Sequence, residues 1–370
     1  MVKDMCSPLL WTVLLALLLG ACSGGPAAPS TLLPTAGTGG GATGPATALP
    51  TVHLKVGTIR IIADAGMYIA QERGYFKEQG LEIEFVDFVT AAEAIAPLGA
   101  GQLDIAVGAV GAGLFNAVGR GIDIKLVADK AATSPDPHNG FSSSLALAIP
   151  KEYAEGQVIT DYRDLRGKIL ALPSRGTTSH VLIDRALQKG GLTLADIEIK
   201  EMSFPDMNAA LVNKGIDVAL QIEPLLSMGE AQGVLVRWKR AEEIYPGQQV
   251  AAIIYGPRIA AIGQNVGNRF MVAYIKGLRD YNDAFGPRRK DRAAVVSILT
   301  QYTNVKEPAL YDRMTFDYMN PDGYINAEAL AADLDWFVAN GYLRERPDLR
   351  MVVDNRYVDY ALQQLGRYQP

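Results

Sequence analysis

The chain is poor in the side chains that carry covalent and metal chemistry. Its 370 residues include two cysteines, Cys6 and Cys22, and three histidines, His53, His138 and His180. Cys6 falls inside an N-terminal apolar leader, so a processed chain keeps Cys22 alone. That excludes a disulfide, a thiol nucleophile and a cysteine-ligated metal from its body. The histidines are scattered and show no His-x-x-x-His spacing, which argues against a zinc site. The glycine-rich run "VGAVGAG" (107–113) is neither a dinucleotide fingerprint nor a Walker loop. "NPDGYINAE" (320–328) fails the spacing of a calcium loop. No Gly-x-Ser-x-Gly elbow marks a hydrolase. Positive charge is also short: 35 Lys and Arg stand against 40 Asp and Glu, a net charge of −5. With no basic run or stripe, nucleic acid is not an expected partner. Past the leader, no apolar run is long enough to cross a bilayer.

The N-terminus is where the apolar residues concentrate. Lys3 precedes an apolar run, Leu9 to Leu19, that ends in Leu19-Gly20-Ala21-Cys22. A charged start, a short apolar core and small residues before a cut site read as a secretory signal over 1–21. The last four residues resemble a bacterial lipobox, in which the cysteine becomes the lipidated first residue, so Cys22 is the expected lipidation site. Residues 23–50, "SGGPAAPSTLLPTAGTGGGATGPATALP", are small, uncharged and rich in Gly, Pro and Thr. Such a segment cannot bury enough apolar surface to order itself. Residues 22–50 therefore read as a lipidated cysteine and a flexible tether, with a reach on the order of 30 Å.

From residue 51 the grammar is strand, helix, strand, repeated in two halves. "LKVGTI" (54–59), the strictly alternating "LEIEFVDF" (81–88), "LDIAVGAV" (103–110) and "IDIKLVAD" (122–129) read as strands of the first half. "AGMYIAQERGYFKEQ" between the first two reads as one helix that Asp64 can cap. Thr90 and Glu93 have capping-box spacing. The second half repeats the order with "GKILALP" (167–173), "IEIKEMS" (197–203), "IDVALQI" (216–222) and "VLVRW" (234–238). This alternation predicts two doubly wound α/β lobes with parallel pairing and right-handed crossovers. "SSLALAIP" (143–150) and "QVAAIIYGP" (249–257) stand between the halves, and two crossing segments make a hinge. The expected division is 51–146 with 253–370 as lobe 1 and its C-terminal helices, and 147–252 as lobe 2.

Five stretches in order carry a family resemblance: "GMYIAQERGYFKEQGLEIEF", "GQLDIAVG", "SRGTTSHVLIDRAL", "FPDMNAALVNKGIDVALQIEP" and "DLDWFVANGYL". Together they resemble the solute-binding proteins of ABC importers for nitrate, sulfonates, taurine and thiamine-pyrimidine precursors, over nearly all of 52–365. The resemblance implies a type II periplasmic-binding fold that closes on one small molecule and no enzymatic activity or cofactor. It also implies an ABC permease with its ATPase as partner. With the lipobox, it places a monomer outside the cytoplasmic membrane, held there by lipid on Cys22. A tethered sensor subunit is a second reading. A pyrimidine-synthase-like enzyme is a third, but such an enzyme resembles these binders while carrying a cysteine-rich metal motif that this chain lacks.

In open α/β sheets, ligands sit beyond the carboxyl ends of the strands. By that rule the candidate ligand residues are Arg60, Asp64, Met67, Tyr68, Val110 and Gly111 in lobe 1. In lobe 2 they are Ser174, Arg175, Thr177, Thr178, Ser179, Gln221 and Glu223, with Tyr245 and Tyr255 near the returning strand. "SRGTTS" at a helix start suits an oxyanion such as sulfonate or nitrate. Asp64 and Glu223 with the tyrosines suit a nitrogen heterocycle of pyrimidine or flavin type, because buried carboxylates repel an anion and tyrosines suit a flat apolar face. The heterocycle is the expected ligand, with the oxyanion as the alternative.

Overall fold

The computed structural model describes residues 50–136 and 139–369. The signal, Cys22, most of the tether and His138 lie outside the described residues.

Two five-stranded sheets form the frame. The first contains β1 (Val52–Thr58), β2 (Leu81–Asp87), β3 (Ile105–Ala109) and β4 (Lys125–Ala132). The second contains β5 (Leu145–Pro150), β6 (Ile169–Leu172), β7 (Glu198–Glu201), β8 (Val218–Ile222) and β9 (Leu235–Arg240). The chain then returns to the first sheet as β10 (Gln249–Tyr255). The strand orders are β2-β1-β3-β10-β4 and β7-β6-β8-β5-β9. β1 pairs parallel with β2 and β3, as β6 does with β7 and β8. The sheets are not wholly parallel, however. β10 runs antiparallel between β3 and β4, and β5 antiparallel between β8 and β9. Both are buried along their whole length. Central position explains their continuous apolar character, which a hinge crossing in solvent would not have. The changeovers therefore lie in 133–144 and 241–248, not at 146/147 and 252/253 as the sequence suggested.

Helices cover the sheets as strand-to-strand crossovers require. The expected long first helix is broken into Ala65–Glu72 and Tyr75–Glu78 because Gly74 sits at φ 74° between them. The C-terminal helices pack mainly on the first lobe. Helix Gln264–Phe285 lies against Ala65–Glu72, and Tyr302, at the end of helix Arg292–Tyr302, stacks on Tyr68. Helix Ala327–Ala339 packs Phe337 against Phe115 and reaches the second lobe through Trp336, whose indole N–H donates to Asp184 at 2.7 Å. Segment 315–319 runs along the first changeover, where Ser142 N–H donates to Phe316 O.

The contact of helix Gln264–Phe285 with Ala65–Glu72 needs bare backbone at Gly277. A Cβ there would lie 2.2 Å from Gly66 O and 2.9 Å from Ala70 N. Gly277→Ala should destabilise the protein by about 1–3 kcal/mol, although alanine is intrinsically the better helix former. Gly113→Ala is the control: its Cβ would meet nothing within 4 Å, so that change should be neutral or stabilising by up to about 1 kcal/mol. Thermal unfolding of the two variants reads the difference.

Candidate functional site

The carboxyl ends of both sheets face one cavity of ≈ 690 Å³, mouth included. The first lobe contributes a wall of Ile59, Ile61, Val89, Ala91, Ala92 and Ala109. The second contributes Leu145, Pro173, Phe204 and Ile222. At the changeover side, Lys130, Ser144, Val250 and Asp317 close it. Two apolar walls and a small polar floor suit a flat, largely apolar solute.

The floor is built from buried charge. Lys130, at the end of β4, is 2 % exposed, and its Nζ lies 2.8 Å from Oδ1 of Asp64, which is equally buried. Asp64 holds the position that caps helix Ala65–Glu72, but its side chain makes no cap bond. It turns to Lys130 and accepts from the Tyr68 hydroxyl at 3.3 Å. Asp317 arrives from segment 315–319. Its carboxylate accepts from the Ser144 N–H at 2.7 Å and from the hydroxyls of Ser143 and Ser144. Burial pushes the Asp317 carboxyl up from its ordinary range, while the serine donors and the Lys130 charge pull it back. Next to Lys130 on β4, Asp129 is pushed up to about 7 by burial, against the Asn320 N–H and Gln249 amide that it accepts.

Of the expected ligand residues, Ser174, Thr177 and Ser179 line the cavity. The hydroxyl of Thr177 donates to Ser174 O at 2.8 Å. The others are placed elsewhere. Glu223 is buried against Arg237 at 2.8 Å and also accepts from the N–H groups of Ser227 and Thr315. The Arg175 side chain turns to β7, donating to Ile199 O and lying beside Glu201. Arg60 pairs with Asp87 at 2.7 Å. Gln221 donates to Phe204 O and Asn208, behind the wall. Met67 and Tyr68 are core residues. Tyr255 is also in the core, donating to Gly267 O. Tyr245 lies in the second changeover against Arg185. Sequence reasoning missed Lys130 and Asp317. A lysine ending the apolar strand "IDIKLVADK" was the available signal for the first. Nothing local marked the second.

The helix start that looked open to an anion is engaged in part. Thr178 N–H donates across to Val110 O of the first lobe at 3.1 Å, and Ala112 N–H of the first lobe donates back to Gly176 O at 2.8 Å. Gly111 and Thr177 thus form an antiparallel bridge between lobes. The Thr178 hydroxyl donates to Val250 O, and Gln248 donates to Thr178 O. A side chain would be crowded at Gly111 and at Gly176. A Cβ on Gly111 would press on Gly176 O at 3.0 Å, and Gly176 stands at φ 66° with the Tyr342 ring 2.7 Å from where a Cβ would be. One turn on, His180 Nδ1 accepts from Gly176 N–H at 3.2 Å and lies 3.2 Å from the Tyr342 hydroxyl. Burial, helped by the Arg175 cation, lowers its pKa to about 4.

Comparison with known proteins agrees with this architecture. A model of the family described as NMT1/THI5 like matches residues 62–280. A putative binding protein of Brucella abortus is 26 % identical over 285 residues, 76 % of this chain and 83 % of that protein. The riboflavin-binding protein RibY of Chloroflexus aurantiacus is 27 % identical over 277 residues, 72 % of each chain. Among solved structures, the alkanesulfonate-binding protein SsuA of Xanthomonas axonopodis, bound to MOPS, superposes with a TM-score of 0.65 at 18 % identity. The alignment covers 83 % of this chain and all of that one.

Two outcomes test the geometry. Lys130→Met leaves Asp64 buried without its cation and should cost about 3–5 kcal/mol of stability. Lys130→Met with Asp64→Asn should recover most of it, as read by denaturant unfolding. The His180 prediction concerns acid. A pKa of about 4 in the fold against 6.5 unfolded means the fold prefers the neutral ring. The stability so gained is complete above pH 6.5 and is lost as pH falls from there toward 4, up to roughly 3 kcal/mol. Asp129 and Asp333, both pushed up to about 7 by burial, act in the opposite sense over that window. The difference between wild type and His180→Gln therefore isolates the histidine, and wild type should lose ground to the variant as pH falls.

Proposed function

The chain belongs to the NMT1/THI5-like family, and from that premise we propose that it is the solute-binding component of an ABC importer. It captures a flat, uncharged nitrogen heterocycle of flavin or pyrimidine type between its lobes and delivers it to a membrane permease. The observation that carries the ligand class is the ion pair beneath the cavity. Among the described residues, Lys130 is the one cation that lines the cavity, and Asp64 already neutralises it at 2.8 Å. With Asp317 also present, an oxyanion would add negative charge to a desolvated site that has none to spare. At the start of helix Thr178–Lys189 the Thr178 N–H and hydroxyl are taken by Val110 O and Val250 O, which leaves fewer donors there for a sulfonate or nitrate. Apolar walls with Phe204 as their aromatic member suit a ring instead.

The matched relatives are named as binding proteins, and we read this chain as one too, without enzymatic activity. The signal over 1–21 and Cys22 support export and a lipid anchor on the outer face of the cytoplasmic membrane. Cys22→Ser should then release the protein from the membrane fraction with binding unchanged. Retention of the variant without lipid would point to an uncleaved helix.

For the ligand itself, mass spectrometry of small molecules released on denaturing the purified protein, followed by calorimetry, is the direct test. Riboflavin or a pyrimidine should bind, and taurine and nitrate should not. Phe204→Ala should weaken binding by about one to two decades with little loss of stability, since it strips one face of the slot. Arg175→Ala should leave affinity unchanged. Tight binding of taurine or nitrate by the native protein would end the heterocycle assignment.

A further inference from the structure

We propose that Lys130, Ser144 and Asp317 select a ring edge on which a carbonyl stands next to an N–H, as in lactams and cyclic imides. The inference rests on the heterocycle reading above and goes further by naming the edge that is recognised and the residues that recognise it.

The floor offers one donor and one acceptor, each fixed from behind. Lys130 Nζ has three N–H directions, and Asp64 Oδ1 lies 2.8 Å away as its counter-ion. Lys130 lines the cavity and is otherwise buried, so an N–H not engaged elsewhere is available to whatever fills the space. A carbonyl oxygen is the neutral group that answers it. Asp317 is held just as firmly. Its Oδ1 accepts from Ser143 at 3.2 Å and from Ser144 N–H at 2.7 Å, while Oδ2 accepts from the Ser144 hydroxyl. An ionised carboxylate has about four acceptor sites, so Oδ2 keeps one for the cavity. An N–H is the group that answers that.

Charge narrows the choice further. Lys130 faces Asp64 and Asp317 together, so an anionic group would add to an existing excess of negative charge. A cationic amine would satisfy Asp317 but leave the Lys130 donor facing like charge. A neutral edge with both a carbonyl and an N–H satisfies both groups at once. A bare aminopyrimidine edge, with a ring acceptor and an amino donor, presents a weaker acceptor to Lys130 and is the less favoured class.

The test is calorimetry on ligand-stripped protein with lumiflavin and thymine, and with 3-methyllumiflavin and 1,3-dimethylthymine, in which the edge N–H groups are methylated. At least one parent ring should bind, and methylation should weaken it roughly 10–100-fold, the effect of losing a hydrogen bond to a charged group. Asp317→Asn should collapse that ratio to within about threefold. Because the readout is a ratio within one variant, a general loosening of the changeover by this substitution cannot imitate it. The double variant Lys130→Met, Asp64→Asn tests the donor without stranding a charge, and should weaken the parent ring roughly tenfold or more. Equal binding of parent and methylated rings by the wild type would overturn the edge assignment while leaving the heterocycle reading in place. Failure of all four probes would overturn both.

Discussion

A lysine placed at the back of an apolar slot must bring its counter-ion with it. The cost of desolvating a lone ammonium far exceeds the few kcal/mol by which a domain is stable, so Lys130 and Asp64 are a unit. The same pairing positions the start of helix Ala65–Glu72, diverting its first carboxylate from capping to the ion pair. It also sets a buried lysine against the cavity. Fold and helix entry thus meet in one contact of 2.8 Å.

The second constraint is how the lobes are joined. Two chain crossings would by themselves let the sheets swing widely. The Gly111–Thr177 bridge adds a direct backbone contact beside them, and the side chains of Thr178 and Gln248 tie it to β10. Helix Thr178–Lys189 therefore begins at a fixed point.

Much of this was legible in the sequence, for identifiable reasons. Alternation in "LEIEFVDF" and short apolar runs elsewhere marked the strands, and their repeated order marked two α/β lobes. The direction and ownership of β5 and β10 were not legible. A continuous apolar run says that a strand is central but not which sheet it enters, and both runs were read as crossings. At the site, the rule that ligands gather at strand ends led to the cavity and to Ser174, Thr177 and Ser179. It failed for Asp64 and Glu223 because a carboxylate's role depends on its partner, and Lys130 and Arg237 are 66 and 14 residues away. Asp317 could not be found locally at all, since it reaches the floor from a segment far along the chain. The tyrosines failed for another reason: a ring at helical or strand spacing beside apolar residues is first of all core.

The contact of Trp336 with Asp184 has a use beyond holding a helix in place. Its indole N–H touches a carboxylate of the second lobe while its ring stacks on Tyr342 and meets His180 edge-on. Indole emission is sensitive to a nearby carboxylate and to exposure to water. Of the chain's other tryptophans, Trp11 precedes the described residues and Trp238 lies on β9 against Tyr162. Nature has thus set an intrinsic fluorophore across the joint between the lobes. A change at this joint would register in its emission, with no label attached.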